Sequence, residues 1–191
     1  MAVTPVFQHF DRALEGVERR GVVHVGAHKG QEVGVYLECG FELVVLVEPN
    51  PAHTEDLARL EQHPEVRVVH SAVGSGERAV LQIPKFSEQA SLLSGMEIHS
   101  TVEVPVVPMR AVQPGCNVAV LDVQGCELDC LRTAELSKLD AVVVEMDNST
   151  RYDGAGSPEQ IRTLLASSGM ELGSVWPHRW EYLTEEVWLR C

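Results

Sequence analysis

The stretch His24-Val25-Gly26-Ala27-His28-Lys29-Gly30, followed by the apolar run Leu43-Val44-Val45-Leu46-Val47 and then Glu48, decides the reading of this chain. Residues 22–25 read as the end of a buried strand. Gly26 and Gly30 stand where that strand must turn into a helix, and glycine there lets the backbone approach a ligand because no Cβ intervenes. Glu48 closes the second strand, and an acid at that place can accept both hydroxyl hydrogens of a ribose. Together the glycine turn and the acid predict a nucleoside-containing cofactor.

Outward from this pair, helical and strand signals alternate. A helix is expected over 7–20, with Phe10, Leu14 and Val17 at helical spacing. Strands are expected over 22–25, 43–47, 66–70, 118–121 and 141–144. Helices fill the gaps at 31–39 (stopped by Gly40), 51–62 (opened by Pro51 at its first turn) and 127–136. Short strands at 79–83 and 101–107 flank an irregular excursion over 86–100 that reads as a loop over the site. Residues 148–156 read as a polar loop. Ser157 and Pro158 then start a helix that ends before Gly169, and strands at 172–175 and 182–189 close the chain. The apolar strands alternate with helices, so an α/β, doubly wound, mostly parallel sheet is expected, in a single domain over residues 1–191.

Composition narrows the classes. The 191 residues carry a formal net charge of -13, which argues against nucleic acid as the main partner. A hydrophobic share of 45% argues against global disorder. No apolar stretch reaches membrane-spanning length, and residues 1–5 lack a basic region followed by an apolar run, so neither a membrane partner nor a signal peptide is expected. The five cysteines show no CxxC spacing. They read as reduced, packed thiols in a cytoplasmic protein.

In an open α/β sheet, ligands bind at the carboxyl ends of the strands. Residues 24–30, 48–50, 71–72, 122–125 and 145–147 therefore carry most weight. A dinucleotide fingerprint GxGxxG begun at Gly26 would meet His28 in place of its middle glycine and Gln31 in place of its last. A histidine there crowds the spot where a pyrophosphate meets the backbone. S-adenosylmethionine, a nucleoside cofactor without phosphates, fits better.

The chain resembles the FkbM family of S-adenosylmethionine-dependent methyltransferases in three ordered segments. The first is His24-Val25-Gly26-Ala27-His28-Lys29-Gly30-Gln31-Glu32, leading to Val47-Glu48-Pro49-Asn50-Pro51. The second is Ser71-Ala72-Val73-Gly74, followed by Ser91-Leu92-Leu93. The third is Leu121-Asp122-Val123-Gln124-Gly125-Cys126-Glu127-Leu128, followed by Val144-Glu145. The resemblance implies a Rossmann-like class I methyltransferase fold with a seven-stranded sheet and a C-terminal antiparallel hairpin. It implies that Gly26, Ala27 and Gly30 line the methionyl part of the cofactor, and that Glu48, next to Pro49, holds the ribose. It places Ser71 and Ala72 beside the adenine and Asp122 near the reacting methyl group. Two positions depart from the family pattern: His24 stands where many members have aspartate, and Gln124 stands in a place often held by glutamate.

Transfer to an alcohol needs alignment and a base for the hydroxyl hydrogen. Asp122 is the first candidate, His28 the second and Glu145 the third. The competing readings are a helix-capping Asp122, an exposed turn His28 and a structural Glu145. Asp122, Glu145 and Asp147 could hold a divalent metal, but no spacing demands one, so a metal is possible and not predicted. The other histidines, His9, His53, His63, His70, His99 and His178, read as mostly surface. Trp176, Trp180 and Trp188 read as hairpin packing. Met96 and His99, or residues 176–180, could line an acceptor pocket. The leading expectation is an O-methyltransferase acting on a small-molecule natural product or saccharide. An NAD-dependent oxidoreductase and a catalytically degenerate binding module are the alternatives.

Overall fold

The computed structural model describes residues 5–85, 89–95, 97–149, 151–178 and 180–191; Met96 and the start of the excursion at Phe86 lie outside the described residues. Its strands are β1 (Gly21–Val25), β2 (Leu43–Val47), β3 (Val66–Val69), β4 (Ala72–Val73), β5 (Arg78–Pro84), β6 (Ile98–Val107), β7 (Val118–Leu121), β8 (Ala141–Asp147), β9 (Met170–Pro177) and β10 (Leu183–Arg190). Seven of them form one sheet in the order β3-β2-β1-β7-β8-β10-β9. All pairings in it are parallel except those of β10, which runs antiparallel to both β8 and β9. This is the expected α/β fold: a doubly wound, mostly parallel seven-stranded sheet with a C-terminal antiparallel hairpin.

The helices are α1 (Pro5–Gln8), α2 (Phe10–Ala13), α3 (Val33–Glu38), α4 (Thr54–Leu60), α5 (Met109–Val112), α6 (Glu127–Arg132) and α7 (Pro158–Ser167). They cover both sheet faces, which is why the strands read as unbroken apolar runs. Side chains alternate across a strand. Val23 and Val25 of β1 accordingly enter a core with Met109, Leu131 and Leu165. Val22 enters a second core with Phe10, Tyr36 and Leu57.

The structure corrects several expectations. The N-terminal helix over 7–20 is two single turns, α1 and α2, and Gly16 at φ +80° turns the chain away. Phe7, Phe10 and Leu14 keep their helical spacing because they fill the core around Tyr36. Arg19 then donates to the Leu14 carbonyl, satisfying a group that a longer helix would have used. The helix over 51–62 begins as a 3-10 turn, Pro51–His53, set by the Asn50 side chain accepting the Ala52 N–H. The helix over 127–136 ends at Arg132.

Strand β8 runs on to Asp147, because β10 keeps pairing with it as far as Leu183 opposite Asp147. Glu145 and Asp147 therefore stand on a strand and not in the loop after it. The two middle strands do not join the main sheet. With β4 they form a separate sheet in the order β4-β6-β5. Its small core is Ala72, Leu81, Val104 and Val106, and residues 89–92, between β5 and β6, line the cavity at the main sheet's carboxyl edge.

Three strand ends meet at Gly26. Its N–H donates to the Val47 carbonyl at 2.9 Å, and the Asp122 N–H donates to the Val25 carbonyl at 3.0 Å. Gly26 sits at φ +85°, and a Cβ there would stand 1.8 Å from the Asp122 carbonyl oxygen. Gly26→Ala is therefore expected to destabilise the fold by about 3 kcal/mol or more, from overlap plus left-handed strain. Urea unfolding of the two proteins checks this.

Candidate functional site

A cavity of about 960 Å³ opens at the carboxyl ends of β1, β2, β7 and β8. That volume suits a drug-sized ligand with room beside it. Gly26, Ala27, His28, Glu48, Pro49, Ala72, Asp122 and Glu145 all line it. Gly30 and Ser71 are not among its described lining. A Cβ on Gly30 would meet the Leu60 side chain at 2.3 Å, so this glycine allows α4 to pack under the turn. Ser71 lies buried at the end of β3, and its Oγ has no hydrogen-bond partner.

Glu48 is fixed by the turn it faces. One carboxylate oxygen accepts the His28 N–H at 2.8 Å and the other accepts the Asn50 N–H at 2.7 Å. Burial raises its carboxyl to about 7 against the pull of these two bonds. The His28 backbone is left-handed, at φ +49°. A side chain there costs about 1 kcal/mol, a cost characteristic of functional turns. The His28 ring lies 4.0 Å from that of His53, and its Nδ1 pairs with the Gln31 amide at 3.1 Å. His53 is thus buried, not a surface residue, because the 3-10 turn after Asn50 aims it at the first glycine turn.

Asp122 is exposed and lines the cavity, yet enough protein surrounds its carboxyl that desolvation raises its pKa. The Gln124 amide donates to Asp122 at 2.6 Å and to Glu145 at 3.0 Å. Desolvation, with the charges of Asp122, Glu127 and Glu185, pushes Glu145 well above the usual carboxylate range. Asp122 does not cap α6. Instead Glu127 holds the turn, accepting the N–H groups of Val123 at 3.2 Å and Gly125 at 3.1 Å. Asp147 is engaged elsewhere, gripping Arg151 at 2.7 and 3.0 Å. Among the described residues, no group of three or more His, Cys, Asp or Glu side chains is arranged to hold a metal ion.

Several lining residues were not singled out from the sequence. Glu32 and Glu185 join Glu48, Asp122 and Glu145, so five carboxyl groups among the described residues face the cavity. Arg151 is the one lysine or arginine among its described lining, and it is already paired with Asp147. Glu185 was detectable as one of two adjacent acids, with Glu186, inside the strand expected over 182–189. His24 replaces the acid of the family pattern: it is buried, donates to or accepts from the Tyr36 hydroxyl at 3.0 Å, and is lowered to about 4 by burial. Ser91 ties the excursion to the site, its hydroxyl donating to the Gln124 carbonyl at 2.7 Å. His178 and Trp180 line the mouth, while Trp188 is core.

The titrations fix a stability profile. Burial raises Glu32, Glu48 and Glu127 each to about 7 from 4.5. The folded state therefore holds more protons than the unfolded one between these values, and stability falls as pH rises through the window. His24 works oppositely but only below its unfolded value of 6.5. The melting temperature is expected to be higher at pH 6.5 than at pH 8, and Glu127→Gln should flatten that slope. Calorimetric scans at both pH values measure it.

A model of the methyltransferase FkbM domain matches residues 24–172. Among solved structures, the chain is similar to the methyltransferase FkbM from Methylobacillus flagellatus KT, with 15% identity and a TM-score of 0.59 over 92% of this chain and 45% of that one. It is similar to the pyocyanin biosynthetic protein PhzM, with 14% identity and a TM-score of 0.50 over 97% of this chain and 54% of that one. It is similar to the ribosomal protein L11 methylase from Lactobacillus delbrueckii subsp. bulgaricus, with 13% identity and a TM-score of 0.55 over 96% and 76%. The chain thus spans about half the length of the first two. No curated protein matches it.

Proposed function

This chain belongs to the methyltransferase FkbM domain family, and on that premise we propose that it transfers a methyl group from S-adenosylmethionine to a hydroxyl of a small-molecule or saccharide acceptor. The observation that carries the reading is the acidity of the cavity: among the described lining there are five carboxyl groups and a single arginine, which is already held by Asp147. Such a lining favours a cationic ligand and opposes the pyrophosphate of a dinucleotide. S-adenosylmethionine has a sulfonium and an ammonium group and, when bound, supplies a methyl group already activated for transfer. The competing NAD-dependent reading would set two phosphate charges against these acids.

In this reading Glu48, its two oxygens fixed by the His28 and Asn50 N–H groups, accepts the ribose hydroxyls, with Pro49 beside it. Gly26 and Ala27 line the methionyl part, and Gly30 supports the turn from behind. Ala72 lies beside the adenine, and the unpartnered Ser71 hydroxyl behind it could be satisfied there. Asp122 takes the acceptor's hydroxyl hydrogen, Glu145 supports it, and His28 acts through the turn that holds Glu48. Ser91, His178, Trp180 and Leu183 border the acceptor side and exclude water there. The free cysteines accord with a cytoplasmic setting, and no described helix is long and apolar enough to cross a membrane.

Isothermal calorimetry tests the cofactor. The wild type should bind S-adenosylmethionine and not NAD, and Glu48→Ala should weaken binding at least ~10-fold, as expected for loss of a charge-assisted diol contact. Affinity should rise between pH 6 and pH 8 as Glu48 ionises, with a flatter profile in Glu48→Gln. Absence of binding to the wild type contradicts the proposal. Labelled methyl transfer to a panel of hydroxylated acceptors separates an enzyme from a binding module.

A further inference from the structure

We propose that Gln124 is a positioning residue whose amide, oriented by the Tyr152 hydroxyl, holds Asp122 and Glu145 as a pair that shares one proton and keeps Asp122 as the basic member. The inference rests on the reading of Asp122 as the base. The geometry that points to it is a chain of three contacts. The Gln124 Nε2 reaches Asp122 at 2.6 Å and Glu145 at 3.0 Å, so each of its two hydrogens has its own carboxylate. The Gln124 Oε1 accepts the Tyr152 hydroxyl at 2.9 Å.

Chemistry fixes which way the amide points. An amide oxygen turned toward two carboxyls would be repelled by whichever is ionised, and a phenol hydroxyl needs an acceptor. Burial raises Tyr152, so its hydroxyl stays protonated and donates. The backbone is built to hold this arrangement. Gln124 sits at φ +54°, and its carbonyl is pinned by Ser91 at 2.7 Å. A Cβ on Gly125 would stand 3.1 Å from the Tyr152 Cβ, so the glycine lets Tyr152 approach.

Two carboxyls bridged by one amide at this depth do not both ionise readily. Asp122 faces Glu32 and Glu48 from the first two strand ends, Glu127 from α6, Glu145 from β8, and Tyr36, Tyr152 and Arg151. Glu145 faces Asp122, Glu127, Glu185 on β10, and Arg151. Of the two, Asp122 takes the shorter contact from the amide, 2.6 Å against 3.0 Å, and is the more exposed, so the charge settles on Asp122. Glu145 keeps the proton. A glutamate at position 124 would add a third carboxyl and remove both donors. Glutamine at this place lets the pair carry a single charge, directed to Asp122.

Carboxyl carbon-13 NMR titration of the ligand-free full chain tests this without cofactor or acceptor. In the wild type, Asp122 and Glu145 should titrate in two steps at least ~1 pH unit apart, Asp122 first. Gln124→Met removes both donors and should raise the Asp122 midpoint by ~1 unit or more. Tyr152→Phe frees the amide and should raise it by about half a unit. Midpoints unchanged in a folded Gln124→Met protein overturn the proposal. Should that variant not fold, an unchanged midpoint in Tyr152→Phe overturns it. Failure to bind S-adenosylmethionine would instead count against the proposed function, so the two failures are distinct.

Discussion

The close approach of Gly26 to the Asp122 carbonyl is the constraint on which the rest of the site depends. With no Cβ at Gly26, the first strand can turn directly against the fourth strand of the parallel series, and the second strand's Val47 carbonyl can receive two N–H groups from the turn. That contact sets the depth of the cavity. It places Glu48 under the turn and Asp122 on the floor, one on either side of the same glycine. A bulkier residue would push the strands apart and separate the two acids that the proposed reaction uses together.

The second organising feature is electrostatic. The cavity concentrates carboxyls whose ordinary state is charged, and burial moves two of them, Glu32 and Glu48, to about 7, as it does Glu127 in the turn before α6. Folding tolerates this because backbone N–H groups and the Gln124 amide are spent on them: Glu48 on His28 and Asn50, Glu127 on Val123 and Gly125, Asp122 and Glu145 on Gln124. The remaining acidity is complementary to a cationic ligand. Two left-handed side-chain residues, His28 and Gln124, stand at the two centres of this network.

Much of this was legible in the chain. Unbroken valine and leucine runs identify strands covered on both faces, and the glycine turn and the acid after the second strand mark the edge where the cavity opens. The short N-terminal helices were not legible, because Phe7, Phe10 and Leu14 have helical spacing whether or not the helix continues, and that spacing does not show that the chain turns away at Gly16. The separate sheet of β4, β5 and β6 was hidden for a similar reason, since strand signals do not say which sheet a strand joins. Glu145 was placed one element too late because its strand is prolonged by a partner some 40 residues downstream. Tyr152 lay in a polar loop with no periodicity, and its contact with Gln124 depends on a fold-level approach that no local pattern announces.

The most direct test of the account is a crystal structure with S-adenosylhomocysteine bound. The account predicts ribose hydroxyls within hydrogen-bond distance of both Glu48 oxygens, the sulfur turned toward Asp122, and the Gln124 amide still bridging Asp122 and Glu145. A nucleoside bound away from Glu48, or a sulfur facing away from Asp122, would contradict it.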